Sequence, residues 1–246
     1  MSNLQGYPAS ITRPGAPTPH RENRLAALFA DEVEIVLVDP RTPQPAHWAE
    51  EAGSIMRAVP ARVQEFAAGR AAARAAMVAL GRAPAAVPAG PDRAPIWPEG
   101  LVGSISHCAH LCIAALAPRV QIRAIGVDLE EAAPLDCNLI PEVCTVAERA
   151  WLACQPENAR GILARLIFSA KECTYKCQYP LTETLFDFDT LEITPDLDTG
   201  QFEATFARPV GEFAAGARLS GRFTMEDDVI ACGMTLARKP RWGLRR

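Results

Sequence analysis

Lysine is scarce in this chain. It occurs at positions 171, 176 and 239 of 246 residues, so nearly all the positive charge is carried by arginine. Positive charge is not in excess either, since the formal net charge is −4, which argues against a general nucleic-acid-binding protein. No run of eighteen apolar residues occurs, so we expect no membrane-spanning helix. The first twenty residues lack a basic start followed by an apolar stretch, and we expect the protein to stay in the cytoplasm.

Paired metal-binding cysteines are also missing. The eight cysteines form no CxxC pair, and no histidines stand at zinc-finger intervals from them. Two pairs, Cys108/Cys112 and Cys173/Cys177, have helical spacing. In a cytoplasmic chain this pattern favours reduced thiols that act as small apolar fillers, with metal binding as the alternative.

The hydrophobic pattern mixes helical and strand periods and predicts an α+β fold. Helices are predicted over 60–81, 148–155 and 159–177. Strands are predicted over 32–38, 101–106, 111–116, 122–130, 186–194, 200–206 and within 224–236. We divide the chain into a Pro-rich segment without regular structure (1–24), an N-terminal half (25–119) and a C-terminal half (120–246) with a basic tail.

Two acidic residues stand at the end of the predicted strand 122–130. Asp128 and Glu130 are two apart, so their side chains share one face of the strand. Oxygen-rich sites of this kind suit magnesium, which takes one or two carboxylates together with water and phosphate oxygens. The alternative is a solvated strand end, because Glu131 continues the acidic run.

Glu172 and Lys176 are four apart on the predicted helix 159–177 and therefore share a face. They and Lys171 interrupt a helix otherwise filled with small or apolar residues. A carboxylate with an ammonium group is what phosphoryl transfer needs, namely a metal ligand and a donor for the departing phosphate. The alternative is an ordinary ion pair on the helix surface.

The segment GSISHC at 103–108 places His107 after Ser104 and Ser106. It is not the GxSxG motif of a serine hydrolase, and an adjacent Ser and His do not give the nucleophile–base geometry. An imidazole beside hydroxyl groups could hold phosphate oxygens. A buried structural histidine is the alternative.

Three arginines lie along the predicted helix 60–81. Arg70 and Arg74 share a face, and Arg62 is two turns from Arg70. Guanidinium groups in a row can bind phosphate in a bidentate manner, while a solvated arginine stripe is the alternative.

Taken together, GVDLE at 126–130, FSAKECTYK at 168–176 and GSISHC at 103–108 resemble the Sfp-type 4′-phosphopantetheinyl transferases. RVQEFAAGR at 62–70 and IWPEGLVGSISHC at 96–108 resemble the enterobactin synthase component D branch in particular. The resemblance implies a pseudo-dimeric α+β fold of two similar α/β halves, with the active site in the cleft between them. It also implies a monomer.

That resemblance implies transfer of the phosphopantetheine arm of coenzyme A onto a serine of an acyl or peptidyl carrier protein, with release of 3′,5′-ADP. Such carriers serve fatty-acid, polyketide or siderophore pathways. The implied magnesium ligands are Asp128, Glu130 and Glu172. The resemblance also implies that Lys176 assists the leaving group. Because Glu172 would lie at the metal, we take it as the general base, acting either directly or through a metal-bound hydroxyl or water.

Coenzyme A binding is implied for Lys176, for Ser106 and His107 at the nucleotide phosphates, and for Arg62 and Arg70 at the 3′-phosphate. Many members of the family carry a lysine in the loop that reads GPDRAPIWP here. Asp92 or Arg93 stands in its place, and we take Arg93 as the substitute cation.

Three further hypotheses concern partners and rival functions. Apolar residues at Leu135, Leu139 and Ile140 are candidates for contact with the carrier protein, unless they are core residues. A magnesium-dependent nucleotide hydrolase would share the carboxylates but would need no carrier. A non-catalytic coenzyme A-binding scaffold would keep the arginines and His107 without needing all three acids and Lys176.

Overall fold

The computed structural model describes residues 18–55, 58–226 and 228–238, which contain five α-helices and eight β-strands. The helices are α1 Pro19–Ala26, α2 Pro60–Ala79, α3 Ile140–Val143, α4 Val146–Ala153 and α5 Glu157–Thr182. The strands are β1 Glu34–Val38, β2 Leu101–His107, β3 Cys112–Pro118, β4 Ile122–Glu131, β5 Leu191–Asp196, β6 Gln201–Phe206, β7 Arg218–Met225 and β8 Val229–Ala237. Short 3₁₀ helices span Ala49–Ser54 and Phe188–Thr190.

The strands form two antiparallel sheets. One has the order β1-β3-β2, and the other has the order β4-β8-β7-β6-β5. Helix α2 packs on the first sheet and helix α5 packs on the second. The predicted α+β class is therefore confirmed. No described helix is both long and apolar enough to cross a membrane.

Helix α2 begins with Pro60 at its first position, where the missing N–H costs nothing. Small residues and Met77 form its buried face against Ala114 and Leu116 of β3. The helix is followed by Gly81 at φ 69°, a left-handed conformation that glycine adopts without strain. The predicted boundaries of this helix are thus close to those observed.

Helix α5 lies unusually close to strand β4 because of Gly126. A Cβ atom at this position would lie 2.0 Å from the carbonyl oxygen of Cys173, so a larger residue would push the helix away from the strand. The close approach brings the carboxyl end of β4 beside the middle of α5. The helix also extends to Thr182, beyond the predicted end at 177, and it includes Pro180 in its last turn.

Several predicted elements differ from the structure. The strand predicted within 224–236 is β8, and the same segment also contains the last two residues of β7, a strand that was otherwise not predicted. The segment 186–194 contains a 3₁₀ helix before β5 begins. Residues 18–24 were expected to lack regular structure, yet α1 begins at Pro19 and is capped by the Thr18 hydroxyl. Residues 1–17 and the basic tail from 239 onward lie outside the described residues, and the division at 119/120 stays a prediction.

The eight cysteines are free thiols, and six of them are buried, namely Cys108, Cys112, Cys144, Cys173, Cys177 and Cys232. Burial raises the pKa of Cys112 to about 12, so this thiol stays protonated and acts as an apolar side chain. The prediction that the cysteines act as small apolar core residues is confirmed for these six. It was wrong for Cys137 and Cys154, which are exposed.

Candidate active site

A cleft of about 1360 Å³ is bordered by α2, β2, β4, α5 and the loop at 92–100. Ordinary small-molecule pockets measure about 300–1,000 Å³, so this cleft has room for a long ligand. The predicted site residues all line it: Arg62, Arg70, Arg93, Ser106, His107, Asp128, Glu130, Glu172 and Lys176. Tertiary structure therefore brings together residues that are up to 114 positions apart in the sequence.

Two serine side chains join β2 to β4 at the floor of the cleft. The Val127 N–H donates to Ser104 Oγ, and the Leu129 N–H donates to Ser106 Oγ, both over 3.1 Å. Serines two apart on a strand share a face, so both hydroxyls reach the same neighbouring strand. They supply acceptors where β2 and β4 share no backbone ladder. His107 consequently lies near the carboxyl end of β4.

Asp128, Ser106 and Lys176 form one hydrogen-bonded group. Lys176 Nζ lies 2.6 Å from Asp128 Oδ1 and 3.1 Å from Ser106 Oγ, and the Ser106 hydroxyl donates to Asp128 Oδ1 over 3.0 Å. Burial opposes the charge of Lys176, but Asp128 and Glu172 outweigh it and raise the lysine pKa. Lys176 is therefore a fixed ammonium group in this cleft.

The two glutamates beside that group have too little positive charge near them to offset their burial. Burial raises the pKa of Glu130 to about 7, and Asp128 contributes, while the Arg165 guanidinium at 3.0 Å opposes the rise. Burial, with Asp128 again contributing, also raises the pKa of Glu172 despite nearby Lys176. Folding has thus placed both glutamates where an additional cation would stabilise their ionised forms.

The three carboxyl groups are the kind of ligand that magnesium prefers, although they do not yet converge on one metal position. Among the described residues, no three His, Cys, Asp or Glu side chains are placed to hold a metal ion as they stand. Lys176 and Arg165 instead occupy oxygens of Asp128 and Glu130. Asp128 Oδ2, however, is buried without a hydrogen-bond partner among the described residues. An unpartnered buried carboxylate oxygen is what a divalent cation would satisfy.

Arg62 and His107 meet at one border of the cleft. Arg62 Nη1 lies 2.5 Å from His107 Nε2 and 3.2 Å from Glu65 Oε2. Burial lowers the pKa of His107, and the charges of Arg62 and Lys176 add to this effect against Glu65. A neutral imidazole can accept the Arg62 hydrogen bond at Nε2, which leaves Nδ1 as its donor.

The predicted row of arginines on α2 is divided by the fold. Arg70 lines the cleft, donates from Nε to the Val87 carbonyl over 2.7 Å and stacks on Phe66. Burial lowers the pKa of Arg70 to about 10. Arg74 instead donates to buried Glu51 at 2.8 and 3.0 Å, so a phosphate-binding role for Arg74 was wrong. Its partner comes from a distant segment and could not be read from helical spacing.

The two neighbouring lysines of α5 have different environments. Lys171 is buried, forms an ion pair with Glu148 at 2.8 Å and donates to the carbonyls of Val143 and Phe188. It therefore belongs to the core and not to the cleft. The scarcity of lysine drew attention to both residues, but the structure places one of them in the site.

Sequence reasoning missed Arg165 and Tyr179. Arg165 lies seven residues before Glu172 and pairs with Glu130, a helical spacing that could have indicated it. Tyr179 lies three residues beyond Lys176 on α5, and its hydroxyl donates to Asp92 over 2.6 Å. Arg93 lines the cleft at a left-handed φ of 68°.

The predicted apolar contact patch is mostly not available at the surface. Leu135 is buried in the second sheet's core, so its assignment to a docking surface was wrong. Ile140 is half-buried, and Leu139 is exposed. One apolar side chain does not make a patch.

Comparison with known proteins gives a consistent family. Residues 50–117 match the 4′-phosphopantetheinyl transferase N-terminal domain, and residues 124–226 match the 4′-phosphopantetheinyl transferase superfamily. The transferase Svp of Streptomyces mobaraensis is 40% identical over 183 residues, which are 74% of each chain. The transferase PptT of Mycobacterium tuberculosis is 33% identical over 203 residues, or 79% of this chain and 86% of that protein.

Enterobactin synthase component D of Salmonella typhi is 39% identical over 137 residues, which are 54% of this chain and 55% of that protein. The likeness to this branch thus covers a shorter part of the chain than the likeness to Svp and PptT. Motifs on both sides of the cleft, together with the matches of both halves, confirm the resemblance seen in the sequence. The chain belongs to the 4′-phosphopantetheinyl transferase superfamily and is a transferase.

Proposed function

We propose that this chain transfers the 4′-phosphopantetheine arm of coenzyme A to a serine of an acyl or peptidyl carrier protein, with magnesium, and releases 3′,5′-ADP. The observation that carries the proposal is the group formed by Lys176, Asp128 and Ser106, with Glu130 and Glu172 beside it in the cleft. It combines a fixed cation with carboxylates that lack sufficient positive charge.

Asp128, Glu130 and Glu172 would hold the magnesium ion. Such an ion supplies a Lewis acid that neutralises pyrophosphate oxygens during phosphoryl transfer. The unpartnered Asp128 Oδ2 and the raised pKa values of both glutamates support this assignment. In the free protein, Lys176 and Arg165 partly compensate the same charges.

Glu172 acts as the general base in this proposal. The carrier serine oxygen forms a bond to the β-phosphorus, and the bond from that phosphorus to the oxygen that bridges it to the α-phosphate breaks. Glu172 accepts the serine proton, either directly or through a water molecule, because it is placed at the proposed metal position. The Lys176 ammonium donates to the phosphate oxygen that becomes negative on departing 3′,5′-ADP.

The nucleotide phosphates would contact Arg62, Arg70, Arg93 and His107, which all line the cleft. Ser106 was predicted to contribute as well. Its hydroxyl already donates to Asp128 and accepts from Leu129 and Lys176, so a hydrogen bond to a phosphate oxygen requires that the Ser106 O–H turn from Asp128 toward the ligand. Coenzyme A binding and loss of the Ser106–Asp128 hydrogen bond are thus coupled in the proposal.

We also propose a cytoplasmic monomer. One chain supplies residues on all sides of the cleft, so a second copy is not needed to complete it. The eight free thiols agree with a reducing compartment.

The test is the intact mass of an apo carrier protein after incubation with this protein, coenzyme A and magnesium. We expect a gain of one phosphopantetheine that disappears with EDTA and does not form on a carrier whose acceptor serine is replaced by alanine. Breakdown of coenzyme A in the absence of any carrier would favour a nucleotide hydrolase. Coenzyme A binding with no transfer to several unrelated carriers would favour the scaffold.

The two floor serines provide a matched pair of variants. S106A and S104A each remove an acceptor of one buried N–H of β4, so each is expected to lose about 1–3 kcal/mol of stability. S106A also frees Asp128 and Lys176, and we expect it to lower the transfer rate at saturating coenzyme A about tenfold. S104A is expected to stay within about twofold of the wild-type rate. Thermal unfolding measures the loss of stability, and initial rates measure the loss of transfer. Equal transfer rates for the two variants would contradict a positioning role of Ser106.

A further inference from the structure

Tyr179 and Asp92 join the two sides of the cleft at its mouth. The Tyr179 hydroxyl donates to Asp92 Oδ2 over 2.6 Å, and both residues line the cleft. Tyr179 belongs to α5, whereas Asp92 belongs to the loop that precedes β2. The bond therefore connects the segment matched by the N-terminal family model with the segment matched by the second model.

The loop that carries Asp92 is a tight turn. Gly90 N donates to the Ala94 carbonyl over 2.8 Å, and Arg93 N donates to the Gly90 carbonyl over 2.9 Å. Asp92 Oδ1 accepts from Ala94 N over 3.0 Å, which fixes the carboxylate within the turn and leaves Oδ2 for Tyr179. The acceptor of the bond is thus ordered by its own loop.

The tyrosine is also held in place. Its ring stacks on Tyr175 with centroids 5.5 Å apart, and Tyr175 packs edge-on against Phe186 at 5.3 Å. Because both the donor and the acceptor are already ordered, the bond costs little additional side-chain entropy. A hydrogen bond between an ordered phenol and an ordered carboxylate is therefore favourable even near solvent.

A second hydrogen bond, between Lys176 and Ser106, also joins α5 to the N-terminal side of the cleft. Lys176 donates to Ser106 across the floor, and Tyr179 lies three residues further along α5, which is less than one helical turn. A ligand that occupies the cleft at Lys176 is consequently bordered by the floor connection and by the Tyr179–Asp92 bond.

We propose that the Tyr179–Asp92 hydrogen bond is a clasp that keeps the two cleft walls at their binding separation and slows the dissociation of coenzyme A. The inference rests on the proposed function for the identity of the ligand. Tyr179 and Asp92 are positioning residues and take no part in proton or phosphoryl transfer. In this proposal Asp92 accepts the hydrogen bond of the clasp, in the loop where many relatives carry a lysine.

The test compares Y179F with the wild-type protein. The substitution keeps the aromatic ring and removes the donor. We expect coenzyme A labelled with a fluorophore at its thiol to dissociate about fivefold faster when chased with unlabelled coenzyme A in a stopped-flow instrument. KM for coenzyme A should rise by a similar factor, with kcat changed less than about twofold.

Further variants distinguish a clasp from a general loss of structure. D92N has one acceptor oxygen, which can accept from Ala94 N–H while its NH2 group donates to the Tyr179 oxygen, so its dissociation rate should lie between those of the wild type and Y179F, whereas D92A should match Y179F. The double variant Y179F/D92A should be no faster than either single variant. Additive effects, or a Y179F dissociation rate equal to that of the wild type, would overturn the clasp. Dissociation is measured without a carrier, so a failure to transfer the arm would overturn the proposed function and leave this result intact.

Discussion

Replacement of Glu172 by glutamine is expected to abolish transfer while the protein becomes no less stable. Burial raises the pKa of Glu172, which means that folding favours the neutral form of its carboxyl group. At neutral pH, above the unfolded-state pKa, the ionised side chain therefore lowers the free energy of unfolding, and glutamine removes that charge without a change in shape. Loss of the general base and of a metal ligand should lower the rate at least about a hundredfold.

The measurements are the initial rate of carrier modification and the thermal unfolding temperature of the same preparation. E131Q provides the control, because Glu131 is the exposed neighbour of Glu130 on β4. Its rate and its unfolding temperature should stay close to those of the wild type. An E172Q variant that keeps the wild-type rate would remove Glu172 from the mechanism. A variant that loses activity because it unfolds would remove the argument that its charge opposes stability.

Replacement of Lys171 by methionine is expected to have the opposite effect, a large loss of stability with little change in the chemistry. The ammonium is buried against Glu148, which also accepts from the backbone N–H groups of Thr145 and Ile193. Removing one partner of a buried ion pair typically costs about 3–5 kcal/mol, because the other charge is left uncompensated. For a chain of this size this corresponds to a fall in unfolding temperature of about 10 °C.

The rate of the folded fraction at low temperature should remain within about twofold of the wild-type rate, since Lys171 does not line the cleft. The double variant K171M/E148Q serves as the control, because it removes both charges and should recover part of the lost stability. A fall of less than about 2 °C for K171M would show that the pair is not important for stability. A selective loss of rate with unchanged stability would place Lys171 in the active site.

Local sequence patterns were sufficient to predict features that depend on a single strand or helix. The apolar run that leads to Asp128 predicts a buried strand, and the pleat places Glu130 on the same face. Pro60 at the start of α2 and Gly81 after its end allowed both ends of this helix to be predicted closely. These features depend on neighbours in the chain, so they can be read without knowledge of the fold.

Patterns failed where distant packing decides the outcome. Strand β7 was largely missed because Gly221 interrupts it, and the ring of Phe202 from the neighbouring strand occupies the space that a side chain would take. Leu135 looks the same in sequence whether it faces solvent or the core. Burial of such residues depends on elements that are far away in the sequence.

The amino-acid sequence was sufficient to identify the family and most of the residues that line the cleft. The carboxylates, Lys176, His107 and the arginines stand in short motifs whose spacing is that of a strand or a helix. Which of the two nearby lysines lines the cleft depends on the tertiary structure. Lys176 lies at the cleft against Asp128, and Lys171, five residues earlier, is rotated into the core against Glu148. At 100° per residue, helical geometry turns those two side chains well apart, and only the packing partners on each side give them different roles.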